Sequence, residues 1–377
     1  MRLKTDWTLF LTIILMVCLG LVMVYSASSV VADLKFHSSS HFFVRQLGWA
    51  VLSFCALMYF KKMDYRCMRT LVWAFGSLGA VLLMLVAVYF LDPANHRWFR
   101  VAGLSLQPSE FAKPALVIFL AYFITLRQRE VNDRYVVLPA AMAIAMLALC
   151  VVVADLGTAV VLVATAAAVF YVAGLDRRYF IAAGALALIL AAGAIISKPY
   201  RFGRIVAFID PHGEILDRID PQGRMKNYMH RAATAHDPSY QARQSILAVG
   251  SGGVLGAGLN NGKQKILYLP EAHTDFIYAV VGEELGLWGS AGILGGFLVI
   301  LLRGVRLIWT APDDFGRYLA LGVAASIVVQ AFINMSVVLD MAPTKGIPLP
   351  MISSGGSSLF STLASLGILL SVGEHSG

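Results

Sequence analysis

Long apolar runs separated by short polar segments are the dominant pattern of this chain. They match the roughly 17 to 25 residues that a helix needs to cross the hydrocarbon core of a bilayer. Ten such runs lie near residues 8–26, 42–60, 70–91, 110–126, 136–153, 157–174, 179–197, 275–302, 318–340 and 352–372. The pattern predicts an all-α polytopic membrane protein with about ten transmembrane helices.

One polar segment is much longer than the others. Residues 198–274 separate the seventh apolar run from the eighth, and they contain a hydrophilic stretch at about 210–238 followed by a glycine-rich stretch. We therefore expect residues 1–377 to form a single membrane domain with one large extracytoplasmic loop between helices 7 and 8.

The composition agrees with this architecture. Apolar residues make up 58% of the 377 residues, and the mean hydropathy is +0.73, well beyond what a soluble core needs. The first run has a basic start and small residues after it, as a signal peptide has, but it is long enough to span and nine further runs follow. An uncleaved signal anchor is the better interpretation.

The distribution of lysine and arginine predicts the orientation, because these residues are retained in short cytoplasmic loops. With the N-terminus inside, the short outer loops hold only Lys35, Arg97, Arg100 and Lys345, with Arg45 and Lys113 near the outer edge. The short inner segments hold fourteen cations: Arg2, Lys4, Lys61, Lys62, Arg66, Arg69, Arg127, Arg129, Arg134, Arg177, Arg178, Arg303, Arg306 and Arg317. Both termini are therefore predicted to be cytoplasmic.

Charge and cysteine content exclude several other classes. The net charge of +8 reflects the cytoplasmic cations and contact with anionic lipid, and no basic and aromatic pattern of a nucleic-acid-binding sheet accompanies it. The four cysteines include no CxxC pair and no outer pair, so neither a disulfide nor a zinc site is expected.

The densest group of ionisable residues precedes the eighth run, in the sequence Pro270-Glu271-Ala272-His273-Thr274-Asp275-Phe276. An acid at the edge of the hydrocarbon region is costly unless it faces a polar cavity or a partner. Thr274 or Asp275 acting as a helix cap is the simpler interpretation, but it leaves Glu271 and His273 unexplained. We identify Asp275 as the candidate catalytic or proton-handling residue. On the following helix Glu283 lies about 80° and Glu284 about 180° round from Asp275, so at most one of them can face the same cavity.

Three other outer segments carry polar residues. Ser109 and Glu110 are typical of a helix start, where Ser109 would cap and Lys113 would share a face with Glu110, either as a neutralised cap or as an ion pair lining a cavity. Asp155 is interpreted as the cap of a tight outer turn. The glycine-rich stretch with Lys263 and Lys265 has no nucleotide-binding motif. Its glycines either allow the backbone to approach a ligand closely or belong to a flexible loop.

The last polar segment, residues 343–358, has a proline-set loop followed by a helix start rich in small residues, including Ser353 and Ser357. Free backbone N–H groups at such a start bind anions. Small residues there also allow helices to pack closely. Both interpretations stay open from the residues alone.

These motifs together resemble the SEDS family of bacterial cell-wall proteins over nearly the whole chain. The residues that carry the resemblance are Arg97-Trp98, Gln107 to Lys113, Pro270 to Ile277, Gly282 to Gly286, Pro343 to Gly346, and Ser353 with Gly355 to Ser358. The motif around Glu271 and Pro343 to Gly346 is more similar to the division branch of the family than to the elongation branch. Ser354 replaces the usual tyrosine, Ile347-Pro348 is closer to the elongation branch, and residues 212–236 look like an insertion.

The resemblance implies a peptidoglycan glycosyltransferase of the bacterial cytoplasmic membrane, at the division septum, that polymerises lipid II on the outer face. It also implies a class B penicillin-binding protein and other division proteins as partners. The aspartate that this family requires for polymerisation falls on Asp275. The hypothesis is that Asp275 is a general base and that cations balance the pyrophosphate leaving group. Predicted substrate contacts are Arg45, Arg97, Arg100, Glu110, Lys113, Lys263, His273, Lys345, Ser353 and Ser357.

A divalent cation, Mg²⁺ or Mn²⁺, bridging Asp275 and the pyrophosphate fits this chemistry, although the sequence contains no dedicated metal motif. Two other functions use the same features. A lipid flippase would place Asp275, Glu110 and Lys113 along a polar pathway through the bilayer. A non-catalytic scaffold of the division machinery would tolerate replacement of Asp275.

Overall fold

The computed structural model describes residues 5–92, 96–101, 104–196, 199–210, 238–266, 268–343 and 346–376. The predicted insertion at 212–236 and the predicted contact Lys345 lie outside these residues. Twelve α-helices occur in the described part: α1 Trp7–Phe36, α2 His41–Lys62, α3 Leu71–Leu91, α4 Pro108–Leu126, α5 Arg134–Ala154, α6 Leu156–Val172, α7 Arg177–Ile196, α8 Pro199–Ile209, α9 Pro238–Gly252, α10 Ile277–Thr310, α11 Asp314–Val338 and α12 Gly356–Glu374.

The ten predicted apolar runs correspond to α1–α7 and α10–α12. Nine of these helices, among the residues described, are long and apolar enough to cross a membrane, and α6 is a shorter apolar helix of 17 residues. The all-α polytopic prediction is confirmed. The described parts of the predicted outer loop include two helices, α8 and α9.

Side-chain caps explain several helix starts. Asp6, Asp133, Asp155 and Asp313 each accept a hydrogen bond from a backbone N–H in the first turn of α1, α5, α6 and α11, which satisfies donors that have no partner within the helix. The prediction that Asp155 caps the turn is confirmed: its Oδ1 accepts from the Gly157 N–H at 2.8 Å.

Two other capping interpretations, at Ser109 and at Thr274 or Asp275, are wrong. Helix α4 begins at Pro108, so Ser109 is already inside the first turn and the cap position falls on Gln107. Pro108 is well suited to the first helical position because its missing N–H would have no helical partner there. Helix α10 begins at Ile277 after Phe276, so neither Thr274 nor Asp275 caps it.

Burial divides the bundle into central and peripheral helices. Helices α4, α11 and α12 are mostly buried, whereas α7 has no buried residue. A short antiparallel hairpin, β1 Phe99–Val101 and β2 Leu104–Leu106, precedes α4. The candidate site lies at the segment before α10, which contacts α11 and the segment before α12.

Helix α10 is interrupted at Gly286, where φ is 64° and ψ is −156°. That conformation is open to glycine and rarely to other residues. The interruption frees carbonyl groups of the helix, and the glycine-rich loop (residues 253–265) binds them: Ala257 N–H donates to Glu283 O at 2.9 Å and Gly258 N–H to Glu284 O at 3.0 Å. The loop is therefore fixed to the helix by backbone hydrogen bonds.

Candidate active site

Asp275 lies at the end of the turn that leads into α10, and its carboxyl group occupies a recess against Gly346. A methyl group at Gly346 would overlap the Asp275 Oδ2 atom, so the glycine allows the two segments to approach. Burial raises the pKa of Asp275 to about 7, Glu271 and Asp155 act in the same direction, and Arg97 and Arg204 oppose them. A carboxylate with a pKa near neutrality is suited to accept a proton.

Arg97 is the cation that most strongly favours the charged form of Asp275. Its guanidinium lies 3.6 Å from Asp155 Oδ2 and 5.6 Å from the centre of the Trp98 ring. The N–H groups of Arg97 and Trp98 donate to Asp92 Oδ2 at 3.3 and 3.2 Å. Arg97 Nε is buried and has no hydrogen-bond partner in the described part of the chain, which leaves a donor available to an anion.

Ser353 holds the turn before Asp275 in place. Its hydroxyl donates to Thr274 O at 2.6 Å and accepts from Leu349 N–H at 2.7 Å. The next residue, Ser354, donates its N–H to His273 O at 2.9 Å. The His273 ring packs on Phe42 at 4.8 Å, and burial lowers its pKa. Ser353 and His273 thus belong to the same site as Asp275.

Glu110 and Lys113 form a buried ion pair, as their spacing predicts. Lys113 Nζ lies 2.7 Å from Glu110 Oε2 and 2.5 Å from Gln330 Oε1. Gln330 in turn donates from Nε2 to Pro348 O at 2.8 Å. The ion pair is therefore connected through α11 to the segment of residues 346–350 that borders Asp275.

Asn334 lies one helical turn beyond Gln330 and contacts the site directly. Its Nδ2 donates to Asp275 O at 2.8 Å and to Ile347 O at 2.7 Å. Its Oδ1 is buried without a partner among the described residues. The Asn334 amide thus joins Asp275, which precedes α10, to the segment that carries Gly346.

The remaining predicted residues have more varied positions. Arg45 donates to Ser105 Oγ at 2.6 Å, and Arg100 is exposed opposite Ser105 in the hairpin. Ser357 is buried in the first turn of α12. The Lys263 side chain is exposed, and its backbone N–H donates to Glu283 Oε1 at 2.6 Å. Within the described residues no recorded contact joins Lys263 to Asp275.

Both acidic residues of α10 are engaged by the glycine-rich loop. Glu283 accepts from the N–H groups of Lys263 and Gln264, and Glu284 pairs with buried Lys265 at 2.6 Å. The Lys265 ammonium also reaches Ser26 and Asn260, at 2.9 and 2.8 Å. These carboxylates fix the loop, and their charges are satisfied there.

The sequence reasoning missed the roles of Gln330, Asn334 and Lys265. A readable feature was present for the first two, because polar residues four apart within an apolar run share a helix face and rarely lie in a membrane without a partner. Among the described residues, no group of three or more His, Cys, Asp or Glu side chains is arranged to hold a metal ion.

Known proteins are similar to this chain in sequence and in fold. The model of the FtsW, RodA and SpoVE family, described as cell cycle protein, matches residues 6–377. A protein of Geobacter metallireducens named "Probable peptidoglycan glycosyltransferase FtsW" is 39% identical over 98% of this chain and 94% of its own. Stage V sporulation protein E of Bacillus subtilis is 37% identical over 99% and 98%.

A solved structure described as "Structural coordination of polymerization and crosslinking by a peptidoglycan synthase complex" includes a chain with the same fold. It superposes with a TM-score of 0.75 at 26% identity and covers 99% of both chains. The match of the family model over almost the entire sequence shows that this chain belongs to the FtsW/RodA/SpoVE family.

Proposed function

We propose that this membrane protein is a peptidoglycan glycosyltransferase in which Asp275 is the general base for polymerisation of lipid II. The glycosyltransferase activity follows from full-length similarity to the FtsW relatives. The assignment of Asp275 rests on one observation: a carboxyl group with a pKa of about 7 lies in a recess bordered by Gly346 and influenced by Arg97.

The reaction joins two lipid II units. The 4-hydroxyl of the acceptor GlcNAc attacks the anomeric carbon of the donor, and its proton passes to the Asp275 carboxylate. The bond from the anomeric carbon to the pyrophosphate oxygen breaks, and undecaprenyl pyrophosphate leaves with the electron pair. Attack opposite the departing group converts an α-linked donor into a β-linked product.

Arg97 is the residue best placed to stabilise the leaving group. Its guanidinium interacts electrostatically with Asp275, and its buried Nε retains a free donor in the described structure. A fixed donor in a buried site stabilises developing charge without reorganisation during the reaction. Arg45 and Arg100, near the hairpin, extend the positive surface. A divalent ion on the pyrophosphate would add to the same effect.

The partner that we propose is a class B penicillin-binding protein, with other division proteins recruiting both to the septum. Support comes from the related fold found in a peptidoglycan synthase complex and from the FtsW names of the relatives. Cross-linking by the partner would act on the glycan strands that this chain produces.

The decisive experiment measures polymerisation of labelled lipid II by the full chain with its class B partner, comparing wild type with Asp275→Asn. The substitution keeps the shape of the side chain and removes the base, so we expect polymer formation to fall by about 10²-fold or more. The matched control is Asp340→Asn, an exposed aspartate beyond the end of α11, which should polymerise like wild type.

Wild-type rates from Asp275→Asn would refute Asp275 as the base. Absence of polymer from the wild-type complex, together with lipid II transfer between leaflets in vesicles, would favour the flippase instead. A folded, partner-binding Asp275→Asn protein that supports division normally would favour the scaffold.

A further inference from the structure

The geometry points to Asn334 as the positioning residue for catalysis: we propose that its amide fixes the backbone of Asp275 against the Ile347 segment so that the carboxylate faces the acceptor hydroxyl. This inference rests on the proposed role of Asp275. It concerns a residue of α11 that contacts the catalytic residue through the backbone.

The two hydrogen bonds of Asn334 join two separate segments of the chain. Asp275 precedes α10 and Ile347 lies beyond the end of α11, yet the same Nδ2 donates to both carbonyl groups, at 2.8 and 2.7 Å. An amide nitrogen provides two N–H groups in a fixed planar geometry. Reversing the amide would place Oδ1 against two carbonyl oxygens, so the hydrogen-bond network determines its orientation.

The hydrogen bond to Ile347 O also positions the neighbouring Gly346, which forms one wall of the recess around the Asp275 carboxyl group. Because Gly346 borders the Asp275 Oδ2 atom, a bond at Ile347 also sets the distance between this wall and the carboxyl group. Gln330 supports the same segment one turn earlier through Pro348 O. The position of the carboxylate thus depends on α11, whose side chains hold both sides of the recess.

Burial distinguishes Asn334 from a polar residue at the surface. Asn334 is almost completely buried, and its Oδ1 has no partner among the described residues, a state that is unfavourable for a polar atom. An apolar residue would avoid this cost but would release both carbonyl groups. The amide is therefore better explained by precise placement of Asp275 than by stability alone.

The test is the pH dependence of lipid II polymerisation by the full chain with its class B partner, in wild type, Asn334→Ala and Asn334→Ser. We expect Asn334→Ala to lower kcat by about 10- to 100-fold, because small displacements of a catalytic group have effects of this size. KM should change by less than about threefold, since the substrate contacts are retained.

The pH profile separates positioning from a merely structural role. Release of Asp275 from the Ile347 segment admits water to the carboxyl group, so the acid limb of the kcat profile should move to lower pH by about one unit. The charged groups that act on Asp275, namely Arg97, Arg204, Glu271 and Asp155, are unchanged in this variant. The Ser hydroxyl is too short to reach both carbonyls, so Asn334→Ser should show the same changes to a smaller extent.

Ser326→Ala is the matched control, because Ser326 is buried on the same helix and donates only to its own helix, at Val323 O. It should leave both kcat and the pH profile unchanged. Variants are compared only after gel filtration and thermal unfolding show a folded protein, and Asn334→Ser provides the test if the alanine variant does not fold.

Wild-type kcat and an unmoved acid limb in the folded Asn334 variants would overturn the inference. Failure of the proposed function gives a different result, because then Asp275→Asn, measured in parallel, would retain both polymerisation and the acid limb. Loss of rate without a shift of the limb would also contradict positioning of Asp275.

Discussion

At the scale of a single residue, burial of the Asp275 carboxyl links catalysis to stability. Its pKa is about 7 in the folded protein, against an ordinary value of 3.8. Between these values the folded state binds the proton more tightly than the unfolded state, so the free energy of unfolding falls as pH rises through this range. The same group must lose its proton to act as a base, so activity should rise over the upper part of the range.

This linkage predicts that Asp275→Asn stabilises the protein at neutral and higher pH. The asparagine stays neutral, so its advantage in Tm over wild type should grow from pH 5 to pH 7 and level off above, reaching about 2 °C or more. Thermal unfolding in detergent across this pH range measures it. Ser326→Ala, which changes no ionisable group, should give a constant difference. A pH-independent difference for Asp275→Asn would show that its carboxyl group is not perturbed.

At the scale of elements, the glycine-rich loop beside the interruption of α10 is joined to that helix by the ion pair between Lys265 and Glu284. Both side chains are almost completely buried. Removing one partner of a buried pair leaves an uncompensated charge and typically lowers stability by about 3 kcal/mol or more. We expect Lys265→Met to lower the Tm markedly and to expose the glycine-rich loop to limited proteolysis.

Lys263→Met provides a close control for that experiment. Lys263 has an exposed side chain, and its bond to Glu283 uses the backbone N–H, which methionine retains. Equal Tm values for the two variants would contradict the assigned importance of the buried pair. The double variant Lys265→Met with Glu284→Gln should recover part of the loss, because it removes the orphaned charge.

The elements also show where sequence reasoning succeeds. Apolar runs predict the ten bundle helices because the length needed to cross a bilayer is a strong constraint. The ends were less accurate: α1 continues to Phe36, and α10 to Thr310, because polar residues can extend a helix beyond the hydrocarbon region. The hairpin at Phe99–Leu106 and the interruption at Gly286 depend on tertiary contacts that the hydrophobic pattern does not contain.

The sequence marks the charged residues of the candidate site as candidates, but it does not reveal the contacts of the amide side chains. Asp275, Arg97, Glu110 and Lys113 stand out because charges near a membrane need partners. Gln330 and Asn334 instead act on backbone carbonyls of Pro348, Asp275 and Ile347. Such partners are defined only when α11 packs beside both segments, so the sequence alone could mark these residues as unusual but could not assign their contacts.

At the scale of the whole molecule, the two ends of the described chain meet on one side. Thr5 Oγ1 donates to Glu374 Oε1 at 2.6 Å, and Lys61 Nζ lies 2.5 Å from the same oxygen. This contact places both ends on the same face, which requires an even number of crossings and therefore that the shorter helix α6 crosses as well. The lysine and arginine distribution predicts that this face is cytoplasmic, which puts Asp275 on the outer face, where lipid II would be polymerised.

Cysteine accessibility tests this orientation. Cys67 is exposed in the turn after α2, and Ser38 is exposed between α1 and α2. Each test chain carries a single cysteine, and its other cysteines are replaced by alanine. A membrane-impermeant maleimide should label Ser38→Cys in intact spheroplasts. Cys67, retained alone, should react only after the membrane is permeabilised, because the positive-inside distribution places its turn in the cytoplasm. The reverse pattern would invert the topology and place Asp275 on the face opposite the growing glycan, which would exclude outer-face polymerisation by this site.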